Sequence, residues 1–216
     1  YTIESDTVTL VKPARTAYSF AGWFTDRNFT NEITEIAAGS FGNKTVYAKW
    51  TPVVYDIIYE LDGGANDENN PTTYTVETPT TGFAAPSRTG YTFNGWYAKK
   101  DFSGDNVTEL PQSSYGNVTL YAKWTANKYT ITYLDTKLIT ETKNTFVYAK
   151  GETYVQSVTY DKNYDLINYE RTGYAKTGWF NGDEKFDGGI WNLTNDVTLY
   201  ADWQIVTYNI TYVLNG

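Results

Sequence analysis

The sequence contains no cysteine, no histidine and no methionine. The absence of cysteine excludes disulfide bonds, thiolate nucleophiles and cysteine-based zinc or iron–sulfur sites. The absence of histidine excludes a Ser-His-Asp triad, histidine-ligated metals and a side chain that titrates near pH 7. Any catalysis would therefore depend on carboxylates, lysine, tyrosine or hydroxyl side chains.

Charge and long apolar runs are also scarce. Charged residues make up 19% of the 216 residues, and 25 acidic against 17 basic side chains give a net charge of −8. An acidic chain of this kind is a poor ligand for nucleic acid, so we expect no nucleic-acid partner. There is no apolar run of 18 residues or more, so the sequence predicts no insertion into a membrane.

Aromatic residues are abundant: there are seven Trp, 21 Tyr and ten Phe. Many of them belong to three sequence markers that recur about 75 residues apart, which is the signature of a repeat array. A Tyr-x-Ile-x-Tyr opening occurs at 55–59, 129–133 and 208–212. An Arg-Thr-x-Tyr…Gly-Trp segment occurs at 15–23, 88–96 and 171–179, and a Tyr-Ala-x-Trp closing segment at 47–50, 121–124 and 200–203.

The order of these markers predicts tandem modules. The first module, 1–51, lacks its opening strand, and the second module, 52–125, is complete. The third module, 126–204, is complete but divergent, and 205–216 is the opening strand of a further module. The joins between modules are only a few residues long, so we expect a semi-rigid, extended array.

Within a module, the pattern is mainly β or α+β. Apolar and aromatic residues alternate with Thr in the opening and closing segments, which is the period of a strand with one buried face. A glycine inside the strand at Gly95 indicates a bulge or a close approach of another segment. Residues 106–114 have room for one short helical turn, limited by Pro111. The longer third module predicts a different loop or an additional hairpin near 137–155.

The segment Gly90–Tyr97, followed by Val118–Trp124 and then Tyr129–Tyr133, resembles the Listeria–Bacteroides repeat, the internalin-B-type B-repeat. The resemblance covers nearly the whole chain, and it is weakest in the third module. It implies a small β-grasp-like, ubiquitin-like module of extracellular bacterial proteins attached to the cell wall or outer surface. In such proteins the repeats often lie between a ligand-binding region and a wall anchor.

These observations favour a non-catalytic spacer or stalk that presents an adhesive or ligand-binding domain, with neighbouring modules as its contacts. An alternative is a binding module that contacts a host protein or glycan through exposed aromatics, and a third is an appendage of a carbohydrate-active enzyme. No motif marks a catalytic, cofactor-binding or metal-binding residue, so we expect no enzyme and no cofactor. The ligand-binding residues remain unassigned by sequence.

Several residues are candidates for a site, each with a structural alternative. The recurring tryptophans suit either sugar stacking or core packing, and their fixed position in every module favours the core (Trp23, Trp96, Trp179, Trp50, Trp124 and Trp203). Tyr97 and Tyr121 are better candidates for ligand contact. Lys176 and the additional Trp191 place any module-specific binding in the third module.

Two polar features complete the candidates. Arg15, Arg88 and Arg171 occur once per module and favour a structural role, pairing with a carboxylate or with backbone carbonyls. The loop 62–70 carries hard oxygen ligands suited to calcium, but an ordinary solvated turn is favoured because the third module has no acidic equivalent. At the other end of the chain, Thr207–Leu214 is predicted to pack against its neighbouring module or to complete the first module of another molecule.

Overall fold

The computed structural model describes residues 1–134, 138–140, 145–147, 153–168 and 170–214. These residues form 20 β-strands and no helix, which confirms the predicted mainly β composition. The short helical turn allowed by the sequence at 106–114 does not form. A strand at Glu109–Leu110 is followed there by a turn in which Ser114 N donates to Pro111 O over 3.2 Å. None of the described residues forms a helix that could cross a membrane.

The chain divides into two compact units, one of residues 1–87 with 94–123 and one of residues 88–93 with 124–216. The first eleven strands are β1 Val8–Thr9, β2 Tyr18–Phe24, β3 Glu32–Ile33, β4 Glu35–Ile36, β5 Tyr47–Pro52, β6 Tyr55–Glu60, β7 Thr73–Tyr74, β8 Thr81–Gly82, β9 Tyr91–Tyr97, β10 Glu109–Leu110 and β11 Val118–Ala126. The others are β12 Lys128–Leu134, β13 Leu138–Thr140, β14 Thr145–Val147, β15 Thr153–Thr159, β16 Asn163–Tyr164, β17 Tyr174–Asn181, β18 Glu184–Phe186, β19 Gly189–Ile190 and β20 Val197–Ile205. Strands β9 and β11 carry residues of both units.

The second and third modules each contain a mixed sheet with the same central arrangement. The strand orders are β7-β6-β11-β9 and β15-β12-β20-β17-β18. In both, the opening strand of the module runs parallel to the closing strand, with Val118 opposite Ile57 and Val197 opposite Ile131. Parallel neighbours need a long crossover connection, and the rest of each module supplies it.

The first module has a three-stranded antiparallel sheet in the order β3-β2-β5, with β5 at its edge. The pairing of β2 with β5 shifts register between Phe20 and Gly22, and that of β17 with β20 shifts between Lys176 and Gly178. These two glycines match Gly95 in the repeat. The bulge that the sequence predicts at Gly95 therefore occurs at its two counterparts.

The core of the third module is one continuous aromatic and aliphatic cluster. Its fully buried members include Ile131, Tyr133, Trp191 and Leu199. The predicted alternation along the closing strand is clearest here, because the alternate residues of β20 are all buried (Val197, Leu199, Ala201 and Trp203). Burial of a large ring removes roughly 150–250 Å² from water, so these residues dominate the stability of the sheet.

The third module also has strands with no counterpart in the second, two of which form a hairpin. β13 pairs antiparallel with β14, with Leu138 opposite Val147. This pairing confirms the additional hairpin predicted near 137–155, although residues 135–137, 141–144 and 148–152 lie outside the described part of the chain. β15 follows and pairs with β12 along its whole length, from Lys128 opposite Thr159 to Leu134 opposite Thr153.

The last segment of the chain does not behave as an intramolecular strand. Residues 207–214 form no strand, and the side chains of Tyr208, Ile210 and Tyr212 are at least 75% exposed. The expectation that this segment packs against its neighbouring module is therefore wrong for this structure. Its alternative, strand addition to another molecule, stays a prediction.

Candidate functional site

Two similar pairs of aromatic rings lie in the first unit, each beside a lysine. The outer rings, Phe29 and Phe102, are exposed, whereas Phe24 is buried and Tyr97 is partly buried. In the first aromatic–lysine cluster, the rings of Phe24 and Phe29 meet edge to face at 5.4 Å, and Lys49 Nζ lies 5.4 and 5.7 Å from their centroids. In the second aromatic–lysine cluster, Tyr97 and Phe102 meet at 5.6 Å, with Lys123 Nζ at 5.0 and 5.7 Å. Such distances are within the range of cation–π attraction.

The turns that carry the outer ring of each cluster are held in an uncommon conformation. Phe29 and Phe102 have φ values of 55° and 57°, a left-handed region that bulky residues rarely occupy. An aspartate fixes each turn: Asp26 Oδ2 accepts from Asn31 N at 2.9 Å, and Asp101 Oδ1 accepts from Ser103 N at 2.9 Å. The hydrogen bond from the Ser103 amide lowers the pKa of Asp101.

Each cluster presents one exposed aromatic ring next to a positive charge. It suits a ligand with an apolar face and an acidic group, because the rings offer stacking and the ammonium group offers a charge-assisted hydrogen bond. In the third module Asp202 replaces the lysine, and its Oδ2 accepts from Thr177 Oγ1 at 2.6 Å. The sequence analysis identified Tyr97 but not Phe29, Phe102 or the lysines. The sequence signal for these clusters is an aromatic residue five positions after another aromatic residue, which occurs in the first and second modules.

The recurring tryptophans serve as internal anchors. Trp96 and Trp179 are buried, and their Nε1 atoms donate to Ala84 O at 3.1 Å and Ile167 O at 3.0 Å. Trp23 is partly buried and donates in the same way to Val11 O at 3.1 Å. Each acceptor lies twelve residues before its tryptophan. The indole N–H of these three tryptophans is bonded to the backbone in every copy. This favours a structural role for them over sugar stacking.

The candidates for module-specific binding have different environments. Trp191 is 1% exposed and packs edge to face with Tyr164 at 5.4 Å, so it belongs to the core and offers no surface for module-specific binding. Lys176 lies over the Trp179 ring at 5.3 Å, and burial lowers the pKa of its ammonium group. Tyr121 on β11 and Tyr97 at the end of β9 are both partly buried.

Each recurring arginine stacks on the tyrosine three residues later. The guanidinium carbon lies 3.6, 3.8 and 4.2 Å from the ring centroid in the pairs Arg15–Tyr18, Arg88–Tyr91 and Arg171–Tyr174. Each guanidinium therefore has a tyrosine ring as one partner, which agrees with the structural role that the sequence favours.

The carboxylates instead meet the tyrosine hydroxyls, and they come from the following module. Tyr18 OH donates to Glu77 Oε1 at 2.8 Å, and Tyr91 OH donates to Asp161 Oδ2 at 3.1 Å. The hydrogen bond with Glu77 raises the pKa of Tyr18. These contacts join successive modules through side chains.

A backbone hydrogen bond recurs beside each of these tyrosines. The amide that follows the closing strand donates to the carbonyl that precedes the tyrosine, at 3.0, 2.9 and 3.0 Å. The three bonds are Val53 N to Ala17 O, Asn127 N to Gly90 O and Val206 N to Gly173 O. The chain therefore crosses an equivalent turn where it leaves each module.

The loop considered for calcium directs much of its polar chemistry inward. Asn70 is 6% exposed, its Nδ2 donates to Asn66 Oδ1 at 2.8 Å and Ala84 O at 3.0 Å, and its Oδ1 accepts from Ala84 N at 2.7 Å. Asp67 Oδ1 accepts from the backbone and side chain of Asn69, and the backbone bond lowers the pKa of Asp67. In the described part of the chain, no three acidic side chains gather in a way that would hold a metal ion.

Comparison with protein families gives three matches along the chain. The model of the Listeria-Bacteroides repeat domain matches residues 1–49, 55–123 and 145–202. The chain belongs to this repeat family. The match confirms the resemblance drawn from the Gly-Trp and Tyr-Ala-x-Trp markers.

Similar proteins come from two bacteria. A Gly-rich protein of Evansella cellulosilytica, provisionally named a membrane protein, is 29% identical over 98% of this chain and 23% of its own length. Another provisionally named membrane protein of that organism is 28% identical over 93% of this chain and 28% of its own length. Internalin H of Listeria monocytogenes is 29% identical over 53% of this chain and 20% of its own length. The chain thus spans less than a third of these relatives, and the family with its internalin relative indicates a repeat region of a surface-associated protein.

Proposed function

We propose that this chain is a non-catalytic spacer in an extracellular protein of the bacterial cell surface, attached to the cell wall or outer surface. It would hold an adhesive or ligand-binding domain away from the cell. The observation that carries the proposal is the recurrent junction, in which the same backbone hydrogen bond closes over the turns at Ala17, Gly90 and Gly173. A join that repeats its local hydrogen bond supports a spacer that resists hinging.

Side-chain contacts support the same proposal. The bonds from Tyr18 to Glu77 and from Tyr91 to Asp161 each add a charge-assisted contact between successive modules. Neighbour contacts of this kind add to the intrinsic stability of a repeat array. A spacer built in this way would resist hinging at its joins.

We also propose that the second and third modules are β-grasp-like units. Their sheets place the opening and closing strands side by side in parallel, with further strands on both sides. In this proposal, short strands and loops replace the helix that a ubiquitin-like fold packs across its sheet. Predicted module boundaries at 51/52 and 125/126 follow from the same proposal.

Small-angle scattering on the 216-residue chain tests the spacer. A compact globular chain of this length has a radius of gyration of about 17 Å. We expect a larger value, above about 25 Å, and a maximum dimension that is unchanged by moderate salt. A radius near the compact value would overturn the proposal. The double variant Glu77→Gln and Asp161→Asn is the matched test of the junctions, since it removes two charges while it keeps the side-chain shapes.

A second candidate function is favoured by the two aromatic–lysine clusters. Backbone strain at a surface aromatic indicates a constraint beyond simple folding, and both outer rings carry it. A host glycan or protein with an acidic group would fit this surface. A glycan array and a pull-down with the whole chain test it, comparing Phe102→Ala with the control Tyr115→Ala, because Tyr115 is an exposed ring outside the clusters. Saturable binding that is lost only in Phe102→Ala would support this function. An absence of binding would contradict it and leave the spacer as the proposed function.

A further inference from the structure

The chain enters a module along its opening strand and leaves it along its closing strand. In the second module these strands are β6 and β11, and in the third they are β12 and β20. We call each couple the central parallel pair of its module. The pairs run parallel over four successive residues, from Ile57 opposite Val118 and from Ile131 opposite Val197. Because parallel strands begin at the same edge of a sheet, the chain enters the pair at one end and leaves it at the other.

This arrangement decides how tension along the chain acts on a module. Tension pulls the start of the opening strand and the end of the closing strand in opposite directions, so the two strands are drawn past each other along their axis. The hydrogen bonds of a parallel ladder are evenly spaced, and all of them therefore carry the load together. If the two strands were antiparallel, entry and exit would lie at the same edge and the bonds would open one after another.

The bonds of these pairs are also shielded from water. In the third module the side chains of Ile131, Tyr133 and Leu199 are fully buried, and in the second module Leu120 is fully buried and Ile57 is 4% exposed. Water has little access to a stretched backbone bond in such a place, and an unmade bond there is costly. Each strand of a pair is held on its other side as well, by β7 and β9 in the second module and by β15 and β17 in the third.

A side-chain bond extends each ladder by one step. Asn117 Oδ1 accepts from Asp56 N at 3.0 Å, and Asp196 Oδ1 accepts from Thr130 N at 2.8 Å. In both modules the acceptor lies one residue before the closing strand, and the donor lies one residue before the first backbone pair. An amide and a carboxylate supply the same bond, so the position requires an accepting oxygen and not a charge.

We propose that the central parallel pair is a tension-bearing element, which lets the second and third modules transmit force along the chain without unfolding. Asn117 and Asp196 belong to this element as the acceptors of its outermost bond. The inference rests on the proposed spacer function, because a chain that holds a ligand-binding domain away from the cell is pulled when that domain is engaged. It goes beyond that function, since a spacer can set a distance without resisting force.

Single-molecule force measurements on the whole chain test the proposal. The chain has no cysteine, so two introduced cysteines provide unique attachment points for handles. Lys128→Cys with Gln204→Cys loads β12 and β20 along their axis. Lys128→Cys with Thr194→Cys loads them across their axis, because both positions lie three residues before the first pair of the ladder. All three side chains are exposed, so the two versions keep the same fold.

We expect the force that unfolds the third module along the axis to be at least about three-fold the force across the axis, because four bonded pairs break together instead of in turn. Forced unfolding depends on the rate of unfolding under load, so equilibrium stability does not explain such a ratio. Equal forces in the two versions would overturn the proposal. They would leave the spacer untouched, since the spacer is contradicted by a compact radius of gyration and not by this ratio.

The second module provides an independent test of the same geometry. Val54→Cys with Thr125→Cys loads β6 and β11 along their axis. Val54→Cys with Tyr115→Cys loads them across it, because Val54 and Tyr115 lie three residues before the first pair of that ladder. The three side chains are exposed. We expect the same order of forces, and equal forces here would overturn the assignment of the element to both modules.

The side-chain bond is tested in the version with handles at Lys128 and Gln204. Asp196→Ala should lower the unfolding force by roughly a fifth, because it removes one of about five bonds that share the load. Asp196→Asn should restore the force, since its amide oxygen accepts as that of Asn117 does. Asp183→Ala is the matched control, because Asp183 is an exposed aspartate between β17 and β18. A force that Asp196→Ala leaves unchanged, or a loss that Asp196→Asn shares, would overturn the role of Asp196.

Discussion

The second and third modules share their central strand arrangement but complete it with different chemistry. The third module fills the space beside its sheet with Trp191, which is 1% exposed among Tyr129 and Tyr164. The second module instead buries the amide of Asn70, whose hydrogen bonds tie a polar loop to Ala84. The difference shows that this topology accepts either a packed aromatic ring or a hydrogen-bonded amide beside its sheet.

The strongest test of this contrast is Trp191→Ala. We expect a loss of about 3–5 kcal/mol in the free energy of unfolding of the third-module sheet, because the change leaves a large cavity in a packed core. Hydrogen exchange of peptides from β12 and β20 measures this loss locally. The exposed Tyr115→Ala should change stability by less than about 0.5 kcal/mol. A loss below about 1 kcal/mol would mean that the cluster collapses around the missing ring.

The polar filling is tested by Asn70→Ala. Removal of the amide leaves Ala84 N without its partner and leaves Ala84 O with Trp96 Nε1, so we expect a loss of about 1–3 kcal/mol in the second-module sheet. Hydrogen exchange of the β6 and β11 peptides measures the loss. The neighbouring Asn69→Ala is the control, since Asn69 is exposed and bonds only within its own turn. Equal effects of the two variants would contradict the role of Asn70.

Alkaline pH probes a feature that the two modules share. Burial raises the pKa of Tyr59 in the second module and of Tyr133 in the third to about 12. The pKa in the unfolded chain is about 10, so the folded state binds these protons more tightly. The stability that this difference contributes is fully present below about pH 10 and declines as the pH rises toward 12. Urea unfolding at pH 9 and pH 11 measures the decline, and Tyr133→Phe should reduce it in the third module alone.

The smallest expected effect concerns the aromatic–lysine clusters. Lys123→Ala should cost about 0.5 kcal/mol, because a cation–π contact at an exposed site is weak. Thermal unfolding in low and moderate salt measures it. Because Asp202 takes this position in the third module, Asp202→Lys should gain no comparable stability there. A gain would show that the third module also provides an aromatic partner for the lysine.

Local pattern predicted much of the fold. The alternation Val118–Trp124 and its repeat at Val197–Trp203 indicates strands with one buried face, and Leu120 and Leu199 are fully buried. The additional hairpin near 137–155 followed from the longer third module. The candidate site was less predictable. The sequence identified Tyr97 but did not predict that Phe102 and Lys123 contact its ring. These contacts depend on a turn conformation that no simple sequence pattern encodes.

Side-chain burial was the property that the sequence predicted least well. Trp191 was used to place any module-specific binding in the third module and proved to be core, and Asn70 was expected in a solvated loop and proved to be buried. Both are single residues outside the recurring markers, so nothing in the repeat reveals their environment. An apolar or polar side chain in a connecting segment has no periodic neighbours, and only the surrounding packing determines whether it is covered.

By itself, the sequence determined the repeat, the strand character of its markers and the membership of the family, because these depend on short-range patterns that recur. Only the tertiary structure decided which strands pair in parallel, which residues fill each sheet and that Glu77 and Asp161 meet the tyrosines of the preceding module. These contacts join residues 59 and 70 positions apart along the chain. The physical reason is that a hydrogen bond or a core contact requires a position in space, which only the folded chain supplies.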